Sequence, residues 1–198
     1  AMLIDAGANA ECKPVNLLQF GVMGSAYMQG VLGVQNPRVA LVNIGTEQGK
    51  GNALTKEAYA LLEKSGLNFI GNIEARDIPE GAADVLVCDG FVGNVILKLT
   101  EGLAMTLFSQ LKAEFTAGTA SKLAAAVLKP GLKKLKERMD YKQYGGAPLL
   151  GIAGGCIKAH GSSDALAIEN AIMQAVRFIE NKVEQTITEN VKTEDGNG

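Results

Sequence analysis

Ala83-Asp84-Val85-Leu86-Val87-Cys88-Asp89-Gly90-Phe91-Val92-Gly93-Asn94-Val95-Ile96-Leu97-Lys98 is the stretch on which the reading of this chain turns. Its apolar run predicts a short buried strand that enters a glycine-bearing turn and opens a long helix. Asp89 falls at the strand's carboxyl end and Asn94 at the expected helix N-cap. In open α/β sheets ligands sit in the crevice beyond the strand carboxyl ends, which makes a carboxylate at that spot the first candidate for chemistry. The same residues also suit an ordinary tight connection from strand to helix.

Toward the N-terminus, Val39-Ala40-Leu41-Val42-Asn43-Ile44-Gly45 is a continuous apolar run of the kind found in parallel sheets covered on both faces. The loop after it, Thr46 to Asn52, sets Lys50 between Gly49 and Gly51, where backbone amides and an ammonium can meet a phosphate. The GxxxxGK[ST] spacing is absent, and a plain solvated loop is the alternative. A helix is expected over Leu54–Lys64, a strand over Leu67–Gly71 and an irregular connection over Ile73–Pro79. Met2-Leu3-Ile4 reads as a strand feeding the polar loop Asp5-Ala6-Gly7-Ala8-Asn9. Pro14 opens a helix with an apolar period as far as Gly33, whose Gly21, Gly24 and Ser25 suit close packing on a neighbour. A chain that starts inside a core strand is expected to have sequence before it, with Ala1 as a cloning remnant.

Toward the C-terminus, a helical pattern runs from Val95 to about Phe115, breaks at Gly118, returns over Ser121–Leu128, meets Pro130-Gly131 and resumes over Leu132–Met139. This is expected to be a protruding helical hairpin over about 96–142. Leu123, Val127 and Leu128 interleave there with Lys129, Lys133, Lys134, Lys136 and Arg138. It is the chain's only basic amphipathic stretch and suits an acidic protein or an anionic membrane surface. A solvated hairpin or a dimer-forming helix pair suits it equally. A second glycine-dense region, Tyr144 to Ser163, reads as a loop and then a short strand ending at the sole histidine, His160. Ser162 or Ser163 is expected to cap one long helix from Asp164 through Val183. With Gly161 and the free amides, these serines would make an anion site.

Alternating strands and helices with short, glycine-punctuated connections predict an α/β fold, a mainly parallel sheet flanked by helices, as a single domain over 1–192 with a frayed tail at 193–198. At 198 residues, 47% hydrophobic and 20% charged, the chain is long enough to bury a sizeable core. A net charge of −2 excludes a global basic field of the kind that captures nucleic acid. Cys12, Cys88 and Cys156 have no metal-ligand spacing, and Cys88 and Cys156 stand among apolar residues, so buried free thiols in a reducing compartment are expected. No signal peptide is apparent, and no apolar run approaches the ~20 residues of a spanning helix, which points to the cytoplasm.

The motifs Asp5-Ala6-Gly7-Ala8-Asn9, Asn43-Ile44-Gly45, Lys50-Gly51-Asn52 and Cys88-Asp89-Gly90-Phe91-Val92-Gly93-Asn94 occur together in this order. With Gly145-Gly146-Ala147-Pro148-Leu149-Leu150-Gly151 and His160-Gly161-Ser162-Ser163, they resemble the PlsX family, the bacterial phosphate acyltransferases of phospholipid synthesis. The resemblance covers nearly the whole chain, and family members are longer at the N-terminus. It implies a fold similar to phosphate acetyltransferases and isopropylmalate-type dehydrogenases. The implied reaction moves a long-chain acyl group from acyl carrier protein to inorganic phosphate, with a homodimer and peripheral membrane attachment. Transfer to coenzyme A and an inactive dimerising or membrane-docking fragment are the alternatives.

Attack of phosphate on a thioester needs a held phosphate and donors for the oxyanion, with no covalent intermediate and no cofactor. The expected site places phosphate at Gly161, Ser162 and Ser163, with His160 or Lys50 assisting. Asp89, half shielded by Phe91, would serve as the base of the reverse reaction, and Asp5, Asn9, Asn43, Gly45, Asn52, Gly90 and Asn94 would line the substrate.

Overall fold

A computed structural model describes residues 1–138 and 145–195, the side chains of 135–138 and 192–195 excepted. In chain order the elements are β1 (Met2–Ile4), α1 (Pro14–Gly30), β2 (Val39–Asn43), α2 (Ala53–Lys64), β3 (Phe69–Glu74), a 3-10 turn over Ala75–Glu80, β4 (Val85–Val87), α3 (Gly90–Thr116), α4 (Thr119–Arg138), β5 (Gly146–Pro148), β6 (Ile157–Ala159), α5 (Ala165–Glu180) and α6 (Val183–Asp195). The first four strands make one parallel sheet in the order β1-β4-β2-β3, as the α/β reading requires. All four carboxyl ends therefore reach the same edge.

Alternation along the strands sends side chains to two covered faces. On one face Val39, Leu41, Val85 and Val87 meet Leu17, Leu18, Phe20 and Met28 of α1 and Ala58 and Leu62 of α2. On the other, Ala40, Val42, Ile73, Leu86 and Cys88 pack with Ile78, Val92 and Ile96. Leu17, Leu41, Leu62 and Leu86 are fully buried, each stabilising the fold by roughly 1.5–3 kcal/mol. The close approach expected at the small residues of α1 is present: a Cβ on Gly24 would lie 2.5 Å from Val85 Cγ1, and one on Gly21 3.0 Å from Leu62 Cδ2. At the opposite, amino edge of the sheet, Arg38 grips both carboxylate oxygens of Asp84 at 3.1 Å.

Several boundaries differ from the expected ones. The first helix ends at Gly30, where Val31 N donates back to Tyr27 O, and does not reach Gly33. β3 continues through Gly71 to Glu74: the register steps from Val39↔Phe69 to Leu41↔Asn72, with Gly71 at φ +96° between them. That glycine marks a bulge and not a strand end. α4 runs unbroken through Pro130, because one missing donor does not outweigh the helix-forming Ala, Leu and Lys residues around it. The last helix is two helices, parted where Lys182 takes φ +51° and Asn181 Nδ2 donates to Gly30 O. β5, unforeseen in a Gly-Pro segment, pairs antiparallel with β6.

α3 fully buries only Gly90 and Gly93, and beyond Ile96 it leaves the sheet and packs with α4 as the protruding hairpin. Residues 139–142 of the expected hairpin lie outside the described residues. α3 is long and apolar enough to cross a membrane by length and composition, with a mean hydropathy of 1.4 in its best window. Lys98 and Glu101 interrupt its apolar residues, which is why no continuous run announced it. Only 6% of that window is buried. Cys156 is exposed, contrary to expectation, and Cys12 is half-buried, whereas Cys88 is buried as expected.

Candidate active site

The helix after β4 is capped by Asp89, not by Asn94: Asp89 Oδ1 accepts from Val92 N at 2.8 Å, and α3 begins at Gly90. The neighbouring loop decides this start. Gly90 N donates to Asn9 O at 2.8 Å, and a Cβ on Gly90 would lie 2.6 Å from that oxygen. One turn on, a Cβ on Gly93 would overlap Asp5 O. Asn94 is inside the helix and exposed, within 3.5 Å of where a Cβ on Gly7 would stand. Phe91 is 66% exposed and turned outward, so the shielding of Asp89 expected from it is absent.

Asp5 is buried and organises its own loop. Its Oδ1 accepts from Gly7 N at 2.8 Å and Ala8 N at 2.9 Å, and its Oδ2 from Asn9 N at 2.6 Å and Asn9 Nδ2 at 2.9 Å. Burial pushes this carboxyl up, but the amides of Ala8, Gly7 and Asn9 and the Asn9 side chain together hold it below the usual carboxylate value. Cys88, behind the same turn, is pushed up to about 12 by burial, then by the charges of Asp89 and Asp5. It is a packing thiol and not a nucleophile.

On β2's other side, Asn43 Nδ2 donates to Lys50 O and to Asn72 Oδ1, both at 3.2 Å, and Asn72 Nδ2 donates to Glu47 O at 2.9 Å. These bonds fold the 46–52 loop back over the sheet edge. Gly51, at φ +94°, sits where a Cβ would strike Thr55 Oγ1, and Gly45 is buried beneath Glu47 and Lys50. Asn52 caps α2 by accepting from Thr55 N at 3.0 Å. The Lys50 side chain is exposed at the rim.

The third expected cluster stands apart. His160 Nδ1 accepts from Ser162 N at 3.2 Å and lies 2.7 Å from Ser162 Oγ, which leaves the neutral ring's proton on Nε2. Neither serine caps α5: Asp164 does, accepting from Ala167 N at 3.1 Å. An aspartate one residue further on competes for the same amides as a serine and wins here. Ser163 Oγ is buried without a hydrogen-bond partner among the described residues, and Gly161 is exposed. Among the described residues no hydrogen bond joins this cluster to Asp89 or Lys50. The structure thus gathers Asp5, Asn9, Gly90 and Asn94 in one contact, and Asn43, Gly45, Lys50 and Asn52 in a second on the same edge.

The family model described as fatty acid synthesis protein matches residues 1–186. The chain belongs to that family. A phosphate acyltransferase of Alkaliphilus oremlandii is 60% identical over 98% of this chain and 58% of its own length. A phosphate acyltransferase of Brevibacillus brevis is 56% identical over 96% of this chain and 57% of its own length. One of Clostridium tetani is 55% identical over 95% and 56%. The chain therefore spans a little under three fifths of these relatives.

In this member of the fatty acid synthesis protein family, the residue that sequence reasoning missed is Asn72. It is 5% exposed and holds the end of β2 and the 46–52 loop at once, through Asn43 Nδ2 and Glu47 O. Its signal was available only as a polar residue after a glycine inside an apolar run. On the hairpin, Leu123, Val127 and Leu128 are exposed as expected, as are Lys129, Lys133 and Lys134. The side chains of Lys136 and Arg138 lie outside the described residues.

Proposed function

We propose that the chain forms part of an acyltransferase that moves a long-chain acyl group from an acyl carrier protein thioester to inorganic phosphate, giving acyl phosphate for phospholipid synthesis. The observation that carries this reading is the convergence, on one edge of a parallel sheet, of the 5–9 loop, the 43–52 loop and the Asp89 turn. The name phosphate acyltransferase borne by relatives at up to 60% identity supports it. In the step itself a phosphate oxygen attacks the thioester carbon, the C–O bond forms, the C–S bond breaks and the thiolate leaves. A thiol of pKa ~8.5 departs with little assistance, so the protein's task is to hold the phosphate in line and stabilise the oxyanion. Lys50 supplies the cation at the rim, Asp89 accepts a thiol proton in the reverse direction, and His160 with Gly161, Ser162 and Ser163 offers a second anion-binding group.

The lysines of the hairpin, with Arg138, suit the acidic surface of a carrier protein, and exposed Leu123 and Val127 suit peripheral attachment at the cytoplasmic face of a membrane. The hairpin also suits homodimerisation. The test is phosphate-dependent release of free carrier protein from palmitoyl-acyl carrier protein, run on this chain and on a protein of its relatives' length. Release by the longer protein alone supports the reading and assigns further site groups to its additional residues. If neither releases carrier protein while acetyl-coenzyme A is turned over, the coenzyme A alternative replaces it.

A further inference from the structure

α5 carries two parallel rows of side chains at the i, i+4, i+7, i+11 spacing of a helix face. Ala167, Ala171, Gln174 and Phe178 form the buried row, and the helix packs on β5, β6, α1 and α6. One residue further on, Ile168, Ile172, Ala175 and Ile179 form the next row, whose isoleucines are 43%, 58% and 67% exposed. The row turned to solvent is thus more apolar than the row turned to the protein, the reverse of the usual order on a surface helix. Single exposed apolar residues are ordinary, but isoleucines aligned over about 16 Å of helix make a face. Half-buried Val176 widens it, and Gly155 of the loop before β6 lies against Phe178 and Ile179 at its far end. Glu169 and Glu180 stand exposed along its border, one near each end.

We propose that this row is a docking face for apolar side chains of the residues by which the protein's relatives exceed it in length. The relatives supply the occupant: the chain spans 58%, 57% and 56% of three of them, so more than two fifths of each lies outside the matched part. The ridge has the spacing along which a second element seats on a helix, and Ala175 in its middle admits a close approach. Glu169 and Glu180 place a negative charge near each end, which turns away an anionic bilayer and the acidic surface of a carrier protein. Ile168 follows Ser163 by little more than one helical turn, so the docked residues lie beside the His160–Ser163 cluster.

Hydroxyl-radical labelling read by mass spectrometry tests the face, on this chain and on a protein of its relatives' length. Ile168, Ile172 and Ile179 should be labelled in this chain and lose that labelling in the longer protein. Ile172→Glu should leave the urea midpoint of this chain in place and lower that of the longer protein, where alone the charge enters a buried contact. Glu169→Gln, at the border of the row, should leave both midpoints unchanged. Where Ile172→Glu prevents the longer protein from folding, Ile172→Ser gives the same comparison with a smaller loss. Equal labelling of the three isoleucines in both proteins overturns the proposal. So does an Ile172→Glu midpoint that matches the parent's in the longer protein. Protection that vanishes on dilution, as the elution volume moves to that of a monomer, assigns the face to a second copy and overturns it too. Labelling requires no turnover, so these outcomes stand apart from carrier-protein release, which tests the acyltransfer reading.

Discussion

Gly93 of α3 lies so close to the carbonyl oxygen of Asp5 that a Cβ on the glycine would overlap it. The contact joins the helix after β4 to the loop after β1, and both carry candidate site residues. Glycine is disfavoured in a helix interior by about 1 kcal/mol relative to alanine, so steric need and propensity oppose each other here. Gly102, further along the same helix, has nothing within 4 Å of a built Cβ. Gly93→Ala should therefore lose about 1–3 kcal/mol through overpacking, whereas Gly102→Ala should gain up to about 1 kcal/mol. Urea midpoints of the two variants, moving in opposite directions, check this. A Gly93→Ala variant as stable as Gly102→Ala would mean that helix and loop do not touch.

Asp5 sets an acid limit on the same contact. Its carboxyl is held below 3.8 in the folded chain. The stability it contributes is therefore complete above that value and is lost as pH falls through the lower folded value. Asp5→Asn replaces an acceptor of several amides by a group that is half donor, which lowers stability at neutral pH. The difference in unfolding free energy between parent and variant, measured from pH 6 downward, should be constant at first and shrink below about pH 4. A difference that stays constant through the acid range would sink this account of the loop.

Much of the fold was legible in the residues. Val39 to Val42 and Val85 to Val87 are apolar on both sides, as strands of a doubly covered parallel sheet are, and these strands are found there. Local chemistry was ambiguous wherever two residues compete for one role. Asp89 and Asn94 are equally good caps by type, and the choice rests on where the Asn9 carbonyl meets Gly90, a contact more than 80 residues apart in the chain. Ser162, Ser163 and Asp164 posed the same problem. Gly71 reads alike as a terminus or a bulge, and the bulge interpretation depends on β2 pairing on past it. Asn72 was hidden for that reason. Asp89 and the 43–52 loop were placed on the sheet edge as expected, while His160 was grouped with Lys50 on chemical type alone, which carries no distance.

Asn72 has a consequence for binding as well as for stability. Its amide holds Glu47 O and Asn43, so it acts on Lys50 through the loop and not by contact. Asn72→Ala removes one of the two donors to Glu47 O, the other being Lys50 N at 3.1 Å, and should cost about 0.5–1.5 kcal/mol. If the loop faces phosphate as proposed, KM for phosphate should rise in the longer protein more than kcat falls, because the cation remains but is no longer held in place. Carrier-release rates against phosphate concentration give the split. An equal loss of kcat at unchanged KM would show that Asn72 supports the fold and leaves the phosphate untouched.

Asp89 combines two roles that substitution can separate. As the cap of α3 it needs only a side-chain oxygen for Val92 N, and asparagine supplies one as well as aspartate does. As a proton acceptor it needs the charge that asparagine lacks. Asp89→Asn should therefore keep its urea midpoint, while Asp89→Ala should lose about 1 kcal/mol with the cap. In the longer protein both variants should slow carrier-protein exchange in the direction that consumes acyl phosphate, by about 10²–10⁴-fold if the carboxylate takes the thiol proton in the rate-limiting step. An Asp89→Asn variant with the parent's rate in that direction, and an Asp89→Ala variant slowed only in proportion to its unfolding, would leave Asp89 as a cap and nothing more.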